Sequence, residues 1–362
     1  MGRRKTGPNL DVEKKPKGTG HAGLDEVIAR VEKKHGTGAV MQPGRKPLPK
    51  VNFIPSASLT FDLTIGGFAR GMITELWGPE GCGKSSFMLQ TIAAAQAAGL
   101  RALFTDAEQA LNFPYAKQLG VQMEDLLICQ PNSGEEALDT LEEMIGSGAI
   151  DLAVFDSVAA IVPQAELDGE IGDSIVGVVP RLMGQFVRKV VSSGILRKSN
   201  TALVFINQIR EKIGILFGNP ETQPGGRALK FTASLRVDMR RIAALKAGEK
   251  IIGARTRFKV PKSRVCAPYV DGEFDLIYGE GVNRAGEIVD LGVGLGVVEK
   301  SGSWYSHSGE RLGAGRFKAC AILRENTEWA ERIEGEIREA WTKRAEGKTE
   351  EAAEAVGAEA EE

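Results

Sequence analysis

The stretch GPEGCGKSS, from Gly78 to Ser86, carries the clearest chemical signal in this chain of 362 residues. It satisfies the phosphate-loop pattern GxxxxGK(S/T), in which glycines let backbone N–H groups turn toward phosphate oxygens. In this pattern Lys84 reaches the β- and γ-phosphates, and the hydroxyl of Ser85 ligates Mg²⁺. An apolar strand pattern precedes the stretch and a helix pattern follows it, so the helix N-terminus would face the bound anion. The predicted nucleotide-binding residues are Gly78, Pro79, Glu80, Gly81, Cys82, Gly83, Lys84, Ser85 and Ser86.

Two acidic residues follow apolar strand patterns. Asp156 ends the stretch LAVFD, where a carboxylate can hold Mg²⁺ directly or through water, or cap the next turn. Next to a phosphate loop we favour the metal role. Glu108 ends the stretch LFTDAE, and a carboxylate at this place can position an attacking water. Asp106 competes with Glu108 for that role on sequence alone.

An amide and a long connection follow another strand pattern, LVFINQ. Gln208 ends this pattern, where its amide could sense the γ-phosphate or simply close the strand by hydrogen bonding. Residues 209–227 are too long for a simple connection, and they include Phe217, Gly225, Gly226 and Arg227. Basic residues and an aromatic side chain in a loop can engage a nucleic-acid backbone by charge and stacking.

A second Gly-rich stretch, DGEIGDS at 168–174, precedes a helix pattern that carries Arg181 and Arg188. Either loop alone could be an ordinary surface loop. Two such loops near a phosphate site favour a ligand whose binding is coupled to the nucleotide.

The elements that must position these residues alternate from about residue 72. Two strand patterns, IDLAVFDSV and TALVFINQ, are nearly continuous in apolar residues, as expected when helices cover both faces of a sheet. This alternation predicts an α/β fold with a mostly parallel central sheet. Residues 180–199 are predicted to form one long helix. The later stretches ASLRVDMRRI, TRFKVPKSR and EFDLIYGEG are expected to extend the sheet as antiparallel strands.

The composition bounds the class of protein. With 42% hydrophobic residues and a net charge of −2, the chain can bury a sizeable core. Its four cysteines, Cys82, Cys129, Cys266 and Cys320, form no CxxC pair, which argues against a zinc site or a disulfide framework and fits a reducing compartment. Since no apolar run approaches about 18 residues and no secretory signal is visible, we expect a cytoplasmic protein without a membrane partner.

With these residues in view, the sequence resembles the bacterial RecA recombinase family. GPEGCGKSS matches the family's phosphate loop, DAEQAL its glutamate strand and VFDSVAA its metal-binding strand. EIGDS and FINQIREKIGILFGNPETQPGGRALKF match its first and second DNA loops. LIYGEG, GEIVDLG and GSWYSHSGERLG extend the resemblance into a small C-terminal domain, so that it covers about residues 24–340.

The resemblance implies a phosphate-loop ATPase core, an N-terminal helix for protomer packing and a small α+β C-terminal domain. The predicted segments are a disordered basic lead at 1–22, an oligomerisation segment at 23–50, the core at 51–283, the small domain at 284–345 and an acidic disordered tail at 346–362. A helix at 24–35 has apolar residues at helical spacing and cannot bury this stripe alone. The tail fits the family's autoinhibitory C-terminus. The basic head and acidic tail suggest a polyanion partner, or two solvated ends.

The resemblance also implies roles in the nucleotide site. Lys84 and Ser85 would hold ATP phosphates and Mg²⁺, with Asp156 as the second metal support. Glu108 would activate water, and Gln208 would link the γ-phosphate to the loop that follows it. Tyr115 would stack on adenine, with Tyr278 and Gly279 nearby.

For DNA and for neighbouring protomers, the resemblance implies a further set of residues. Arg181, Arg188 and Arg210, with the 209–227 loop, would face single-stranded DNA. The family forms a helical filament with ATP between protomers, so Lys262 and Arg264 would reach the neighbour's ATP like arginine fingers. Lys230 and Phe231 would lie at the protomer interface, where the helix at 24–35 would dock on the next subunit.

The function implied is that of a DNA-dependent ATPase. It would form filaments on single-stranded DNA, pair them with homologous duplex DNA, exchange strands and promote self-cleavage of a LexA-type repressor. The alternative is a diverged paralogue of the same fold that acts as a regulator or a hexameric motor without strand exchange. A small-molecule kinase would need a lid and an acceptor pocket, which the sequence does not indicate.

Four positions depart from the family's pattern. Arg264 stands where lysine is usual, Asn112 where an aspartate near adenine is usual, and Val176 where the first loop usually has a larger residue. Pro261 removes a backbone donor from the strand KVPKSR. We expect these departures to affect rates and ATP affinity more than the class of activity.

Overall fold

The computed structural model describes residues 21–36, 39–40, 51–170, 177–211 and 220–359, with backbone alone from residue 348. Within these ranges the chain forms the following α-helices: α1 (Ala22–His35), α2 (Leu59–Ile65), α3 (Lys84–Ala97), α4 (Phe113–Gln118), α5 (Gly134–Gly146), α6 (Gln164–Leu167), α7 (Val178–Ser193), α8 (Ile195–Ser199), α9 (Gly226–Thr232), α10 (Arg284–Leu295), α11 (Arg316–Glu325) and α12 (Thr327–Glu359). A 3₁₀ turn spans Val158–Ala160.

The strands of the same ranges are β1 (Phe53–Ile54), β2 (Phe68–Ala69), β3 (Ile73–Gly78), β4 (Ala102–Asp106), β5 (Leu127–Cys129), β6 (Leu152–Asp156), β7 (Ala202–Gln208), β8 (Arg210–Glu211), β9 (Glu221–Thr222), β10 (Leu235–Ala247), β11 (Lys250–Ser263), β12 (Asp271–Ile277), β13 (Gly281–Val282), β14 (Glu299–Ser301), β15 (Trp304–His307) and β16 (Glu310–Ala314).

The central sheet has nine strands in the order β13-β12-β11-β10-β3-β7-β6-β4-β5. The pairs from β10 to β5 are all parallel, which confirms the predicted α/β fold with a mostly parallel sheet. Strands β11, β12 and β13 are antiparallel to their neighbours, as expected. The expectation was wrong for β10, because the chain between β7 and β10 crosses back to the N-terminal end of β3 and β10 then runs parallel to it.

Both faces of this sheet are buried, which explains its continuous apolar strands. In β7, Val204 and Ile206 join one core cluster, whereas Leu203 and Phe205 join the cluster on the opposite face. Because successive side chains point to opposite faces, each strand needs apolar residues at every position when helices cover both sides.

The predicted long helix at 180–199 is two helices. α7 ends at Gly194, which has a φ of 66° and donates its N–H to the carbonyl of Val191. Glycine reaches this left-handed conformation without steric cost and therefore ends a helix readily. α8 then runs to Ser199 and is closed by Asn200, also left-handed.

The small C-terminal domain combines α10, α11 and α12 with the three-stranded sheet β14-β15-β16, as predicted for an α+β unit. Its core includes Ile333 and Ile337, which the sequence places on one helical face. It is joined to the core domain by Glu287, whose buried carboxylate accepts hydrogen bonds from Leu59 N and Thr60 N at the start of α2. The boundaries of the five predicted segments stay predictions; the backbone of α12 is helical past residue 346.

The chain divides into two units, Met1–Val51 and Asn52–Glu362. The first contains the predicted helix at 24–35, which is present as α1 and is followed by Gly36 with a φ of 96°. None of the helices formed by the described residues combines the length and the apolar character that crossing a membrane requires.

Candidate active site

The phosphate-loop stretch connects the C-terminal end of β3 to the first residue of α3. Gly83 precedes α3 with a φ of 91°, a conformation that L side chains rarely adopt. A Cβ on Gly78 would lie 2.1 Å from the carbonyl oxygen of Met239, so only glycine fits there. The loop borders a cleft of about 440 Å³ lined by Glu80, Gly81, Gly83, Lys84, Ser85, Ser86, Glu108, Asp156, Ile206 and Gln208.

Lys84 and Cys82 belong to the phosphate-loop stretch, and their side chains point away from solvent. The ammonium of Lys84 donates to the carbonyls of Gly78, at 3.0 Å, and Pro79, at 2.8 Å. Cys82 is buried, and burial raises the pKa of its thiol. Its side chain therefore packs in the core, while its backbone belongs to the loop that would face phosphates.

Asp156 and Ser85 meet at the edge of the cleft. The hydroxyl of Ser85 donates to Oδ2 of Asp156 over 2.6 Å. Burial raises the pKa of Asp156 to about 6; the hydrogen bond from Ser85 opposes this shift, whereas the charge of nearby Glu108 adds to it. Asp156 thus lies in a buried acidic environment that a bound cation would relieve.

The residues present fit Mg²⁺ bound together with a nucleotide. A hydroxyl and a carboxylate are oxygen ligands, which Mg²⁺ prefers, and this ion is usually held by one or two carboxylates together with waters and substrate phosphates. Among the residues that the structure describes, no group of three or more His, Cys, Asp or Glu could hold a metal ion alone. Ser85 and Asp156 would therefore share such an ion with phosphate oxygens.

Glu108 faces the cleft, whereas Asp106 does not line it. Oε1 of Glu108 accepts hydrogen bonds from Ser157 Oγ, at 2.5 Å, and from Gln208 Nε2, at 2.9 Å. Asp106 is buried, and its carboxylate accepts from Ala110 N, Leu111 N and Gln130 Nε2. Of the two candidates for positioning water, only Glu108 therefore lines the cleft.

Ser157 was missed by the sequence reasoning. It follows Asp156 through a cis peptide bond and is buried beside the cleft. Its only signal in the sequence is a hydroxyl residue directly after a strand-end carboxylate. Gln208 was predicted, and it ends β7 at the position that pairs with Gly78 of β3, so its amide reaches the cleft.

The residues predicted near adenine are partly brought together. The hydroxyls of Tyr115 and Ser86 lie 3.0 Å apart, which joins α4 to the phosphate-loop helix. Gly279 lies against Gln118 of the same α4 helix. Tyr278 lines a different cavity, of about 400 Å³, next to the small domain.

Asn112, one of the four departures, is the N-cap of α4 and accepts a hydrogen bond from Tyr115 N over 2.9 Å. Asparagine and aspartate cap helices about equally well, so we expect Asn112 to stabilise the start of α4 as well as an aspartate would.

Lys262 and Arg264 lie at the end of the sheet opposite the phosphate loop. In the sheet register, Lys262 of β11 lies opposite Arg236 of β10, and Arg236 lies opposite Glu75 near the start of β3. The phosphate loop begins at the other end of β3. The ammonium of Lys262 donates to the carbonyls of Lys230 and Phe231 at the end of α9. Partial burial lowers the pKa of Lys262, and nearby Arg264 acts in the same direction.

Arg264 lines a separate cavity of about 300 Å³ beside Gly71, and Phe231 is exposed. Pro261, another departure, lies in β11 opposite an irregular step in the pairing with β10, between Arg236 and Asp238. Because a bulge interrupts the ladder, the missing N–H of proline is tolerated there.

The predicted DNA-contacting residues that the structure describes lie on α7 and at the two ends of the 209–227 loop. Gly225 and Gly226 have φ values of 83° and 75°, and a Cβ on Gly226 would lie 2.9 Å from Pro180 Cβ. The end of the long loop therefore packs directly against the start of α7. Arg181, Arg188, Arg210 and Arg227 are all exposed. Phe217 and Val176 lie outside the described residues, as does most of the stretch EIGDS.

Comparisons with known proteins cover most of the chain. Residues 22–283 match the model of the RecA N-terminal domain, and residues 286–342 match that of the RecA C-terminal domain. Protein RecA of Caldanaerobacter subterraneus is 50% identical over 318 residues, which cover 87% of this chain and 92% of the relative. Protein RecA of Bacillus subtilis is 49% identical over 320 residues, which cover 88% of this chain and 91% of the relative.

Protein RecA of Geobacter sulfurreducens is also similar, with 49% identity over 317 residues, 87% of this chain and 93% of the relative. The matches extend from α1 through the core to the small domain, so they include every element that builds the cleft. This chain belongs to the RecA family of recombination and repair proteins, which are DNA-dependent ATPases.

Proposed function

We propose that this protein assembles into filaments on single-stranded DNA with ATP and Mg²⁺ bound at its cleft, pairs the filament with homologous duplex DNA and exchanges strands. The observation that carries the proposal is the hydrogen bond between Glu108 and Gln208, the residue from which the 209–227 loop departs. It joins the group that would activate water to the loop that would meet DNA.

The phosphates would be held by backbone N–H groups of the loop, by the N-terminus of α3 and by Lys84. The ammonium of Lys84 donates to two loop carbonyls, and phosphate oxygens would replace or join them. Mg²⁺, held by Ser85 and Asp156, would neutralise charge on the β- and γ-phosphates.

Glu108 would act as the base for the attacking water. Both of its hydrogen bonds end on Oε1, which leaves Oε2 to accept a proton from water. Ser157 would keep the carboxylate oriented, because its hydroxyl is anchored beside Asp156. When ATP binds, the side-chain amide of Gln208 would leave Glu108 and donate its hydrogen bond to the γ-phosphate. This change of partner would move the first residues of the loop.

Assembly would complete the site. The sheet register supports action of Lys262 and Arg264 on a neighbour's nucleotide, because both lie at the opposite end of the sheet from their own phosphate loop. The amphipathic α1 helix would dock on the next subunit, and Lys230 and Phe231 would lie at the same junction. Promotion of LexA-type repressor cleavage is part of the proposal, and it rests on the family resemblance alone.

DNA would bind along the 209–227 loop and the exposed arginines of α7. Positive side chains there would contact the phosphate backbone, and sequence recognition would be left to base pairing. The contact between Gly226 and Pro180 supports one continuous DNA surface made by the end of the 209–227 loop and the start of α7.

The first test is ATP hydrolysis with and without long single-stranded DNA, with Lys84→Ala as the inactive control. We expect strong stimulation by DNA that vanishes in the variant, followed by strand exchange in a joint-molecule assay. Hydrolysis indifferent to DNA would contradict the proposal and favour a diverged paralogue. Closed rings of fixed size in electron micrographs, instead of filaments, would favour a hexameric motor.

A further inference from the structure

A cluster of buried polar side chains joins three adjacent strands of the central sheet. We call it the Glu75 cluster: Glu75 of β3, Asn207 of β7 and Arg236 of β10. Their side chains are 1%, 0% and 5% exposed, respectively. A buried charge is costly unless it is paired and hydrogen-bonded, so each member depends on the others.

Glu75 is the centre of this cluster. Its Oε2 accepts from Arg236 Nε at 2.5 Å, and its Oε1 accepts from Asn207 Nδ2 at 3.0 Å. The guanidinium of Arg236 also lies over the ring of Trp77, 4.1 Å from its centre. The carboxylate thus uses both oxygens to join the two strands that flank β3.

Both ends of the long loop are tied to the same cluster. At its start, Asn207 Oδ1 accepts from Gln208 N at 3.0 Å. At its return, Asn207 Nδ2 donates to the carbonyl of Pro224 at 3.1 Å, and Arg236 Nη2 donates to Gln223 Oε1 at 3.2 Å. One carboxylate therefore holds the residues on either side of the segment 209–222.

Glu75 lies on the strand that ends at Gly78, where the phosphate loop begins. Removing one partner of a buried, hydrogen-bonded charge is strongly unfavourable, so Glu75 holds Asn207 and Arg236, and through them both ends of the loop, in place. From these contacts we infer that Glu75 is a positioning residue that fixes Gln208 and the loop ends relative to the phosphate loop, and that it thereby couples DNA binding to the nucleotide. This inference rests on the proposed function.

The test uses the full-length protein and two readouts. The first is the ratio of ATP turnover with and without single-stranded DNA. The second is a ratio of two affinities for a fluorescent single-stranded oligonucleotide. It divides the affinity of the protein loaded with a slowly hydrolysed ATP analogue by that of the protein loaded with ADP. A merely structural role would lower stability without changing these two ratios.

Two single variants probe the cluster from different sides. Glu75→Gln keeps the shape and the bond from Asn207 but removes the ion pair. We expect both ratios to fall at least about fivefold while the affinity for the ATP analogue changes less than about twofold. Gln223→Ala removes only the loop side chain, and we expect a decrease of about two- to threefold in the second ratio.

Two further variants act as rescue and control. In Glu75→Gln combined with Gln223→Glu, the new carboxylate can pair with Arg236, and we expect the ratios to recover in part. Asp151→Asn removes one partner of another ion pair, Arg70–Asp151 at 2.8 Å, which lies outside the cleft and the loop. This control is expected to keep both ratios at the wild-type level.

Wild-type ratios in folded Glu75→Gln and Gln223→Ala would overturn the inference. If Glu75→Gln does not fold, a second ratio at the wild-type level in Gln223→Ala is enough to overturn the inference. Absence of DNA stimulation in the wild-type protein would instead contradict the proposed function, and the inference would fall with it.

Discussion

The side-chain amide of Gln208 donates to Oε1 of Glu108 over 2.9 Å, although the two residues are 100 positions apart in the chain. Glu108 follows β4 and Gln208 ends β7, while Asp156 ends β6 between them in the sheet. Three parallel strands therefore deliver an amide and two carboxylates to one edge, where open α/β sheets bind their ligands. The predictions below concern this edge, the protomer junction and the contact between the core and the small domain.

Ser157→Ala is expected to slow ATP hydrolysis. The variant loses the 2.5 Å hydrogen bond that orients Glu108, while Gln208 still contacts the same oxygen. We expect kcat with DNA to fall about tenfold, with KM for ATP nearly unchanged, because a hydrogen bond to a charged group is lost near the reacting water. The control is Ser193→Ala, which removes a similar hydroxyl at the end of α7. An unchanged kcat would mean that Ser157 does not orient the base.

Asp156→Asn is expected to separate stability from function. Burial raises the pKa of Asp156 to about 6, so its ionised form is unfavourable at pH 8. The neutral amide is expected to raise the free energy of unfolding at pH 8 by about 1–3 kcal/mol. The same change would remove the proposed Mg²⁺ ligand, and it is expected to weaken Mg²⁺-dependent ATP-analogue binding about 10- to 100-fold. Urea denaturation and fluorescent-nucleotide titration measure the two effects, and a less stable variant would refute the first.

Asp62 is expected to make folding stability depend on pH. Its Oδ1 accepts from Ser56 N, whereas its buried Oδ2 has no hydrogen-bond partner among the described residues. Burial raises the pKa of Asp62 from 3.8 to about 6. Because the folded state holds the proton up to higher pH than the unfolded state, this group's stabilising contribution is complete below about pH 4. It is lost as the pH rises through about 6, with a total change of up to about 3 kcal/mol.

The check is the difference in the free energy of unfolding between the wild type and Asp62→Asn at pH 5 and pH 8. The variant is expected to gain relative to the wild type at pH 8. Asp139→Asn, at an exposed aspartate, serves as the control and should show no such dependence. Parallel curves for the wild type and Asp62→Asn would show that Asp62 does not titrate between these values.

Mixing two inactive variants is expected to restore activity. Lys84→Ala lacks the phosphate-loop lysine but keeps Lys262, and Lys262→Ala has the reverse defect. In a head-to-tail assembly, about a quarter of the junctions in an equimolar random mixture would combine an intact loop with an intact neighbouring lysine. We therefore expect DNA-stimulated hydrolysis well above that of either variant alone. A mixture as inactive as its components would place Lys262 outside the neighbour's site.

Much of the fold could be predicted because its signals are local. Buried parallel strands need apolar residues at every position, so β6 and β7 are visible as apolar runs, and the phosphate-loop pattern places β3 before it and α3 after it. The direction of β10 was not visible, since strand pairing depends on where the preceding chain crosses the sheet. The break at Gly194 had a local signal, because a glycine interrupts the apolar helix pattern. The length of that pattern nevertheless led to the prediction of a single helix.

By itself, the sequence determined which chemistry is available: a phosphate loop, and carboxylates and an amide that follow apolar strands. These features are encoded in neighbouring residues, because a loop and its glycines act through their own backbone. Only the tertiary structure decided which groups meet. It turned Asp106 into the core and Glu108 toward Gln208, and it joined Glu75 to Asn207 and Arg236, which are 132 and 161 positions away. Such contacts depend on the order and register of strands, and no local pattern specifies either.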